Sequence, residues 1–321
     1  TFPEAKAAIF LNLKKAMACY PGKRGGGHLV KNSVSLRNVY NDVKNTLLGQ
    51  FPEAELEARE LLQAALGVSR QDILLGRERE VSREQLDRLG ALVRRRMERE
   101  PLQYLLGEWD FYGRTFAVGE GVLIPRADTE TLAERAISFL RGKSAPRVLE
   151  LCAGSGCLSV TVALECPEAQ VWAVEKSPAA WDYFCRNNRA YGDQVRGVLG
   201  DALADIPILP VDFDLIISNP PYLTAEEMAD LQPEVAKEPA MALDGGEDGL
   251  DFYRGLTARY AGRLRPGGML AYEIGMGQEK KVCKILKESG LQNICQTPDL
   301  HGIIRVVSAE NKFSRPGGEL E

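Results

Sequence analysis

Phe213-Asp214-Leu215-Ile216-Ile217-Ser218 runs directly into Asn219-Pro220-Pro221-Tyr222. The first six residues form an apolar run of strand length, as expected of a parallel strand buried on both faces. The last four stand at its carboxyl end, where open α/β sheets bind their ligands. Asn219 offers one acceptor and two donors on a short stem. Pro220 and Pro221 stiffen the backbone that carries it, and Tyr222 adds an aromatic face. Such a set can hold a planar, nitrogen-bearing group still. The plain alternative is a proline-rich strand-to-helix turn, and the neighbouring segments decide between the two.

From Arg147 onward strand and helix patterns alternate. Strands are expected at Val148–Leu151, Val171–Val174, Val195–Leu199, Phe213–Ser218 and Met269–Ile274, with helices near 156–165, 178–190, 250–264 and 277–289. That alternation specifies an α/β fold with a doubly wound, mostly parallel sheet. Gln292–Cys295 and Ile303–Ala309 follow each other across a proline-containing loop, so an antiparallel pair should complete seven strands at the sheet end.

The front of the chain has a different texture. Residues 33–100 read as a small helical domain with no strand signal: Val39, Val43, Leu47 and Leu48 recur at helix spacing, and Glu55 to Leu66 continues to a stop at Gly67. Ser82 with Gln85 three residues on is a capping box opening a third helix. Its charged tail, Arg94 to Glu100, is a solvated face. Residues 101–125 are expected as a β-hairpin connector, with Phe111–Val118 pairing with Val122–Ile124 across Gly119-Glu120-Gly121. Residues 1–32 read as a flexible extension, and 312–321 as a tail. A transit peptide would be richer in Arg and Ser, and a secretory signal would need a denser apolar centre.

Bulk properties exclude several classes. A net charge of −5 over 321 residues argues against direct nucleic-acid binding, which usually shows a basic domain. The longest apolar runs fall short of a membrane span. Seven cysteines without CxxC spacing resemble small buried hydrophobes in a reducing, cytoplasmic compartment, not a disulfide framework or zinc site. With two histidines, His28 and His301, a histidine metal site or a Ser-His-Asp triad is poorly supplied, and no metal is expected.

The first strand of the alternating region runs into Glu150-Leu151-Cys152-Ala153-Gly154-Ser155-Gly156-Cys157. Glycines at a strand-to-helix turn let backbone approach a ligand and aim helix N–H groups at it. A dinucleotide fingerprint needs a third glycine where Ser159 stands, so NAD and FAD are disfavoured, and no Walker A sequence follows. Glu175 ends the second strand about 20 residues past the turn, placed to accept ribose hydroxyls. At the end of the third strand, the Asp201 carboxylate and the Ala202 N–H could read an adenine edge. Together these residues describe a nucleoside pocket that demands no pyrophosphate, which suits S-adenosylmethionine better than a dinucleotide.

The set Glu150–Gly156, Glu175, Asp201 and Asn219-Pro220-Pro221-Tyr222 resembles the class I S-adenosylmethionine-dependent methyltransferases that methylate amino groups. Ile124-Pro125-Arg126-Ala127-Asp128-Thr129-Glu130, the segment Glu238 to Leu250 and the helical front domain narrow the resemblance to the release-factor glutamine N5-methyltransferases of the PrmC/HemK type. It covers roughly residues 33 to 310. Residues 126–311 are then the methyltransferase domain and 33–100 the substrate-recognition domain. Two departures stand out: Cys152-Ala153 replaces a glycine or small hydroxyl residue, and Glu175 replaces a more common Asp.

The resemblance implies transfer of a methyl from S-adenosyl-L-methionine, leaving S-adenosyl-L-homocysteine, to the glutamine of a Gly-Gly-Gln loop in peptide chain release factors. It implies that Cys152, Ala153, Gly154, Ser155, Gly156, Glu175, Asp201, Ala202, Asn219 and Arg126 surround the cofactor. The Asn219 side-chain oxygen and the Pro220 carbonyl would accept the two amide hydrogens, with Tyr222 packed on the amide plane; Pro221 completes the substrate wall. Arg126 and Glu130 either shape the cofactor pocket or are ordinary loop charges. An adenine-N6 nucleic-acid methyltransferase would share the Asn-Pro-Pro-Tyr sequence but needs a basic, aromatic recognition region and a base-flipping pocket, and the mixed charges of the front domain supply neither. A non-catalytic binding scaffold is the remaining alternative.

Overall fold

Buried β-branched and leucine side chains on Phe213–Ser218 do form a strand hidden along its whole length. It lies near the centre of a seven-stranded sheet in a computed structural model that describes residues 32–312. The expected extension before residue 32 and the tail beyond residue 312 lie outside the described residues. The chain divides after Leu106 into two compact units.

In the first unit the elements are β1 (Asn32–Ser35), α1 (Leu36–Leu47), α2 (Ala54–Leu66), α3 (Arg70–Leu75), β2 (Glu78–Val81), α4 (Arg83–Met97) and α5 (Leu102–Leu106). One apolar stripe from each long helix builds a separate core, with Leu36, Val43, Leu61, Leu62, Leu89 and Val93 almost fully buried. Gly67 ends α2 in the left-handed conformation. The Ser82–Gln85 capping box is formed in both directions. Across the core, Arg96 donates two hydrogen bonds to Glu57, at 2.6 and 3.0 Å, and its guanidinium lies 3.7 Å from the centroid of the Phe51 ring. Two expectations are corrected. The tail Arg94 to Glu100 is not wholly a solvated face, because Arg96 turns into the core, where its charge is paired with Glu57. β1 and β2 pair antiparallel, Asn32 opposite Val81 and Ser35 opposite Glu78. The charged Glu78-Arg79-Glu80 has no apolar alternation, so this ribbon left no pattern to read.

The second unit contains β3 (Glu108–Phe111), β4 (Arg114–Ala117), α6 (Asp128–Leu140), β5 (Arg147–Leu151), α7 (Cys157–Glu165), β6 (Gln170–Glu175), α8 (Pro178–Ala190), β7 (Val195–Leu199), β8 (Phe213–Ser218), α9 (Ala225–Ala229), α10 (Asp251–Tyr260), β9 (Leu264–Glu273), α11 (Glu279–Glu288), β10 (Gln292–Pro298) and β11 (Ile304–Glu310). Strand order is β10-β11-β9-β8-β5-β6-β7. Only β11 runs against its neighbours, β9 and β10, so the sheet is mostly parallel with the expected antiparallel end. Alternate residues feed two cores. Val148, Leu215, Ile217 and Met269 pack with Leu132 and Phe184 on one face, whereas Leu149, Ile216, Leu270 and Tyr272 pack with Tyr253 and Leu286 on the other. Asp214, the charge within the central strand, is buried and accepts the Arg147 N–H at 2.8 Å.

The hairpin differs in register from its expected form. β3 and β4 turn at Tyr112-Gly113, with Phe111 opposite Arg114, and Val122–Ile124 is not a strand. Asn187 of α8 clamps Ala117 through both its N–H and its carbonyl, at 2.7 and 3.0 Å, which ties the hairpin to the sheet unit. The cysteines are also less buried than expected: of the six described, all free, Cys157 is buried, Cys295 is exposed and the others are half-buried.

Candidate active site

Parallel register brings the expected site residues to one edge. Leu151 of β5 lies opposite both Val174 of β6 and Ser218 of β8, and Ser218 lies opposite Tyr272 of β9. The next residue of each strand is therefore Cys152, Glu175, Asn219 and Glu273, four neighbours across the carboxyl edge. The chain leaves β5 toward β6 on one side and β8 on the other, which makes a topological switch point with a crevice beyond it.

A cavity of about 930 Å³, its open mouth included, occupies that crevice. Arg126, Cys152, Ala153, Gly154, Ser155, Glu175, Asp201, Ala202, Asn219 and Pro221 all line it. Gly156, Pro220 and Tyr222 do not. Gly156 opens α7 with φ of 76°, and a Cβ there would stand 2.6 Å from the Phe184 ring, so its glycine is required by packing against α8. Cys152 also has a positive φ, 61°, a conformation that costs a non-glycine residue energy.

Glu175 bends back over the glycine turn. Its two oxygens accept the Gly154 N–H at 2.7 Å and the Ser177 N–H at 2.6 Å. Each oxygen keeps a further lone pair for a ribose hydroxyl, so the longer stem is accommodated by the turn. Asp201 accepts the Leu203 N–H at 2.8 Å and pairs with Lys176 at 2.8 Å, and the Lys176 bond holds its carboxyl below the usual range. Desolvation pushes the thiols of Cys152 and Cys157 up to about 12, so neither is a thiolate nucleophile near neutrality.

At the β8 side of the crevice, Asn219 Nδ2 donates to Thr129 Oγ1 at 3.1 Å. Its Oδ1 is buried and has no partner within the protein, which leaves an acceptor that a bound N–H would satisfy. Tyr222 is held from behind. Gln278 Nε2 donates to the Tyr222 carbonyl at 2.9 Å. Leu223 donates its N–H to the Leu243 carbonyl at 2.9 Å, and the Leu223 carbonyl accepts the Gly245 N–H at 2.8 Å. The Glu238 to Leu250 segment is thus strapped onto the chain just after β8. Buried Glu238 accepts the Ile124 N–H at 3.0 Å and pairs with Arg126, so it joins that segment to the loop before α6. Arg126 is therefore both a wall residue and a strut. Glu130 points elsewhere, accepting the Tyr112 N–H at 2.7 Å.

Thr129, Glu273 and Gln278 were not selected from sequence as site residues. Glu273, an acid directly after the apolar run Met269–Tyr272, carries the one legible signal.

Glu150 is buried beneath the glycine turn, where it accepts the Ser159 N–H at 3.0 Å. Burial pushes its carboxyl up to about 8. With the folded value above the unfolded one, the native state holds the proton that the unfolded state has lost. Stability therefore falls as pH rises through this window, from about 4.5 to about 8. Glu150→Gln keeps the acceptor and removes the charge. Its melting temperature should match the wild type at acid pH and exceed it by a margin that grows as pH rises through this window. A melting-temperature difference that does not change with pH would contradict this.

A mostly parallel seven-stranded sheet with a glycine turn, an edge acid, Asn219 and Pro221 around one crevice defines a methyltransferase. Residues 130–247 match the family described as methyltransferase small domain, and residues 39–107 match the PrmC N-terminal domain. The chain is 43% identical over 258 residues to the release factor glutamine methyltransferase of Geobacter sulfurreducens, covering 79% of this chain and 88% of that one. It is 40% identical to the release factor glutamine methyltransferase of Gloeobacter violaceus, covering 77% and 87%. Among solved structures, the hMettl16 catalytic domain in complex with MAT2A 3'UTR hairpin 6 superposes with a TM-score of 0.52 at 13% identity, covering 75% of this chain and 87% of that one; this likeness shows the fold. The chain belongs to the release factor glutamine methyltransferase family.

Proposed function

We propose that the protein transfers a methyl group from S-adenosyl-L-methionine to the side-chain amide nitrogen of the Gly-Gly-Gln glutamine in peptide chain release factors. The observation that carries this reading is the unpartnered, buried Asn219 Oδ1 at the cavity wall, next to the rigid Pro220-Pro221 backbone. Bound S-adenosylmethionine would supply an electrophilic methyl on a sulfonium centre. The chain's donor set fits it: Glu175 for the ribose hydroxyls, Asp201 and the Ala202 N–H for the adenine, and the Cys152 to Ser155 turn against the methionine portion. No group of three His, Cys, Asp or Glu residues placed to hold a metal occurs among the described residues.

A carboxamide nitrogen is a poor nucleophile because its lone pair is delocalised. Asn219 Oδ1 and the Pro220 carbonyl accept its two hydrogens, aim the nitrogen, and stabilise the positive charge it develops. Tyr222 covers the amide plane. No strong base is needed before transfer, because the methylated nitrogen loses its proton readily. The helical unit serves release-factor recognition, and glycines flanking the glutamine let the loop approach closely. No helix of the described residues is long and apolar enough to cross a membrane, and free cysteines suit the reducing cytoplasm where termination occurs.

Incubation with labelled S-adenosylmethionine and either release factor or DNA tests the acceptor. Label should enter the release factor. Label on DNA alone would favour the adenine-N6 reading instead.

A further inference from the structure

Asn219 can work as described only if its oxygen, and not its NH2, faces the acceptor. An amide side chain swaps these two ends by a simple rotation, so something must hold it. The first residue beyond β8 and the last residue of β9 are neighbours, and the start of α6 places Thr129 against both. Asn219 Nδ2 donates to Thr129 Oγ1 at 3.1 Å, and the Glu273 carboxylate lies near enough to the Thr129 hydroxyl for that hydroxyl to favour its charged form. Thr129 is 4% exposed and Glu273 2%, so water does not compete for these groups. A hydroxyl has one proton. Given to Glu273, that proton leaves Thr129 only its lone pairs for Asn219, which accept Nδ2 and reject Oδ1.

We propose that Thr129 and Glu273 are positioning residues that lock the Asn219 carboxamide with Nδ2 turned inward and Oδ1 presented to the substrate amide. This rests on the methyl-transfer reading of the same site. The second Glu273 oxygen is buried without a partner, and burial pushes the carboxyl up to about 7. Arg126 and Arg305 oppose that rise and Asp128 adds to it; Tyr222 and Tyr253 also face the group, as does Cys157. Protonated Glu273 can donate to Thr129. The Thr129 hydroxyl is then free to donate to Asn219 Oδ1, and the amide turns its NH2 toward the incoming N–H. Transfer should therefore rise with pH as Glu273 ionises.

The test measures kcat and KM on a release factor, and cofactor affinity by calorimetry, across neutrality. Thr129→Val should lower kcat by roughly tenfold to a hundredfold with cofactor affinity unchanged, and Thr129→Ser, which keeps the hydroxyl, should recover most of it. Wild-type kcat should climb along a limb centred near 7. Glu273→Gln should be low and flat, whereas Glu150→Gln should keep the limb, separating Glu273 from Glu150, the buried acid beneath the glycine turn. Wild-type kcat in Thr129→Val, or an unchanged limb in Glu273→Gln, would overturn the proposal. If Thr129→Val does not fold, the serine variant and the Glu273→Gln profile still decide. Absence of transfer by the wild type at every pH would instead refute the underlying methyl-transfer reading.

Discussion

Asn219→Ala should lower kcat for release-factor methylation by about 10²–10³-fold, the loss typical of removing one preorganised group that meets developing charge. Cofactor affinity should stay within a few-fold of wild type. The two effects separate because the site has two ends. Glu175, the Gly154 turn and Asp201 are held by their own bonds to Ser177, Leu203 and Lys176, none of which passes through Asn219. The alanine removes the unpartnered Oδ1 and leaves the acceptor amide with only the Pro220 carbonyl. A half-held amide keeps its lone pair delocalised and rotates away from the reacting line. Steady-state kinetics with calorimetry checks both halves. Turnover equal to wild type would refute the role assigned to Asn219.

Gly245→Ala should cost about a hundredfold in kcat although residue 245 is not on the cavity wall. A Cβ at Gly245 would stand 2.7 Å from Tyr222 Cα, 2.8 Å from its carbonyl carbon and 2.9 Å from Gly249 Cα. All three are backbone atoms, so no change of rotamer relieves the overlap. The loop cannot retreat easily either, because the Gly245 N–H is bonded to the Leu223 carbonyl and Leu223 to Leu243. Gln278 holds the Tyr222 carbonyl from the other side. The displacement therefore passes into Tyr222 and the prolines before it, and a shift of about 1 Å is enough for a hundredfold loss. Gly262→Ala, where an added Cβ meets nothing within 4 Å, is the control and should turn over like wild type. Full activity in Gly245→Ala would show that the strap is not what places Tyr222.

The central strand was readable because burial on both faces leaves no polar alternation, so Phe213–Ser218 appears as one apolar block. The glycine turn and Glu175 were readable because backbone conformation and a strand-end acid leave fixed residue types at fixed spacing. The β1–β2 ribbon left no such trace, since Glu78-Arg79-Glu80 carries no apolar alternation. In the hairpin, Gly119 and Gly121 suggested a turn that the chain makes at Tyr112-Gly113. Thr129, Gln278 and Glu238 act through bonds to residues 56 to 114 positions away, and no local periodicity records such contacts. The sequence pointed to the groups proposed to meet cofactor and substrate; the groups that hold them in place are brought to them by contacts distant along the chain.

The most direct test of methyl transfer to a release-factor glutamine is peptide-level mass spectrometry of a release factor co-expressed with this protein. One added methyl located on the side chain of the Gly-Gly-Gln glutamine, absent when Asn219→Ala is co-expressed instead, is the predicted result. An unmodified glutamine in the presence of the folded, cofactor-binding wild type, or a methyl on another residue, would contradict it.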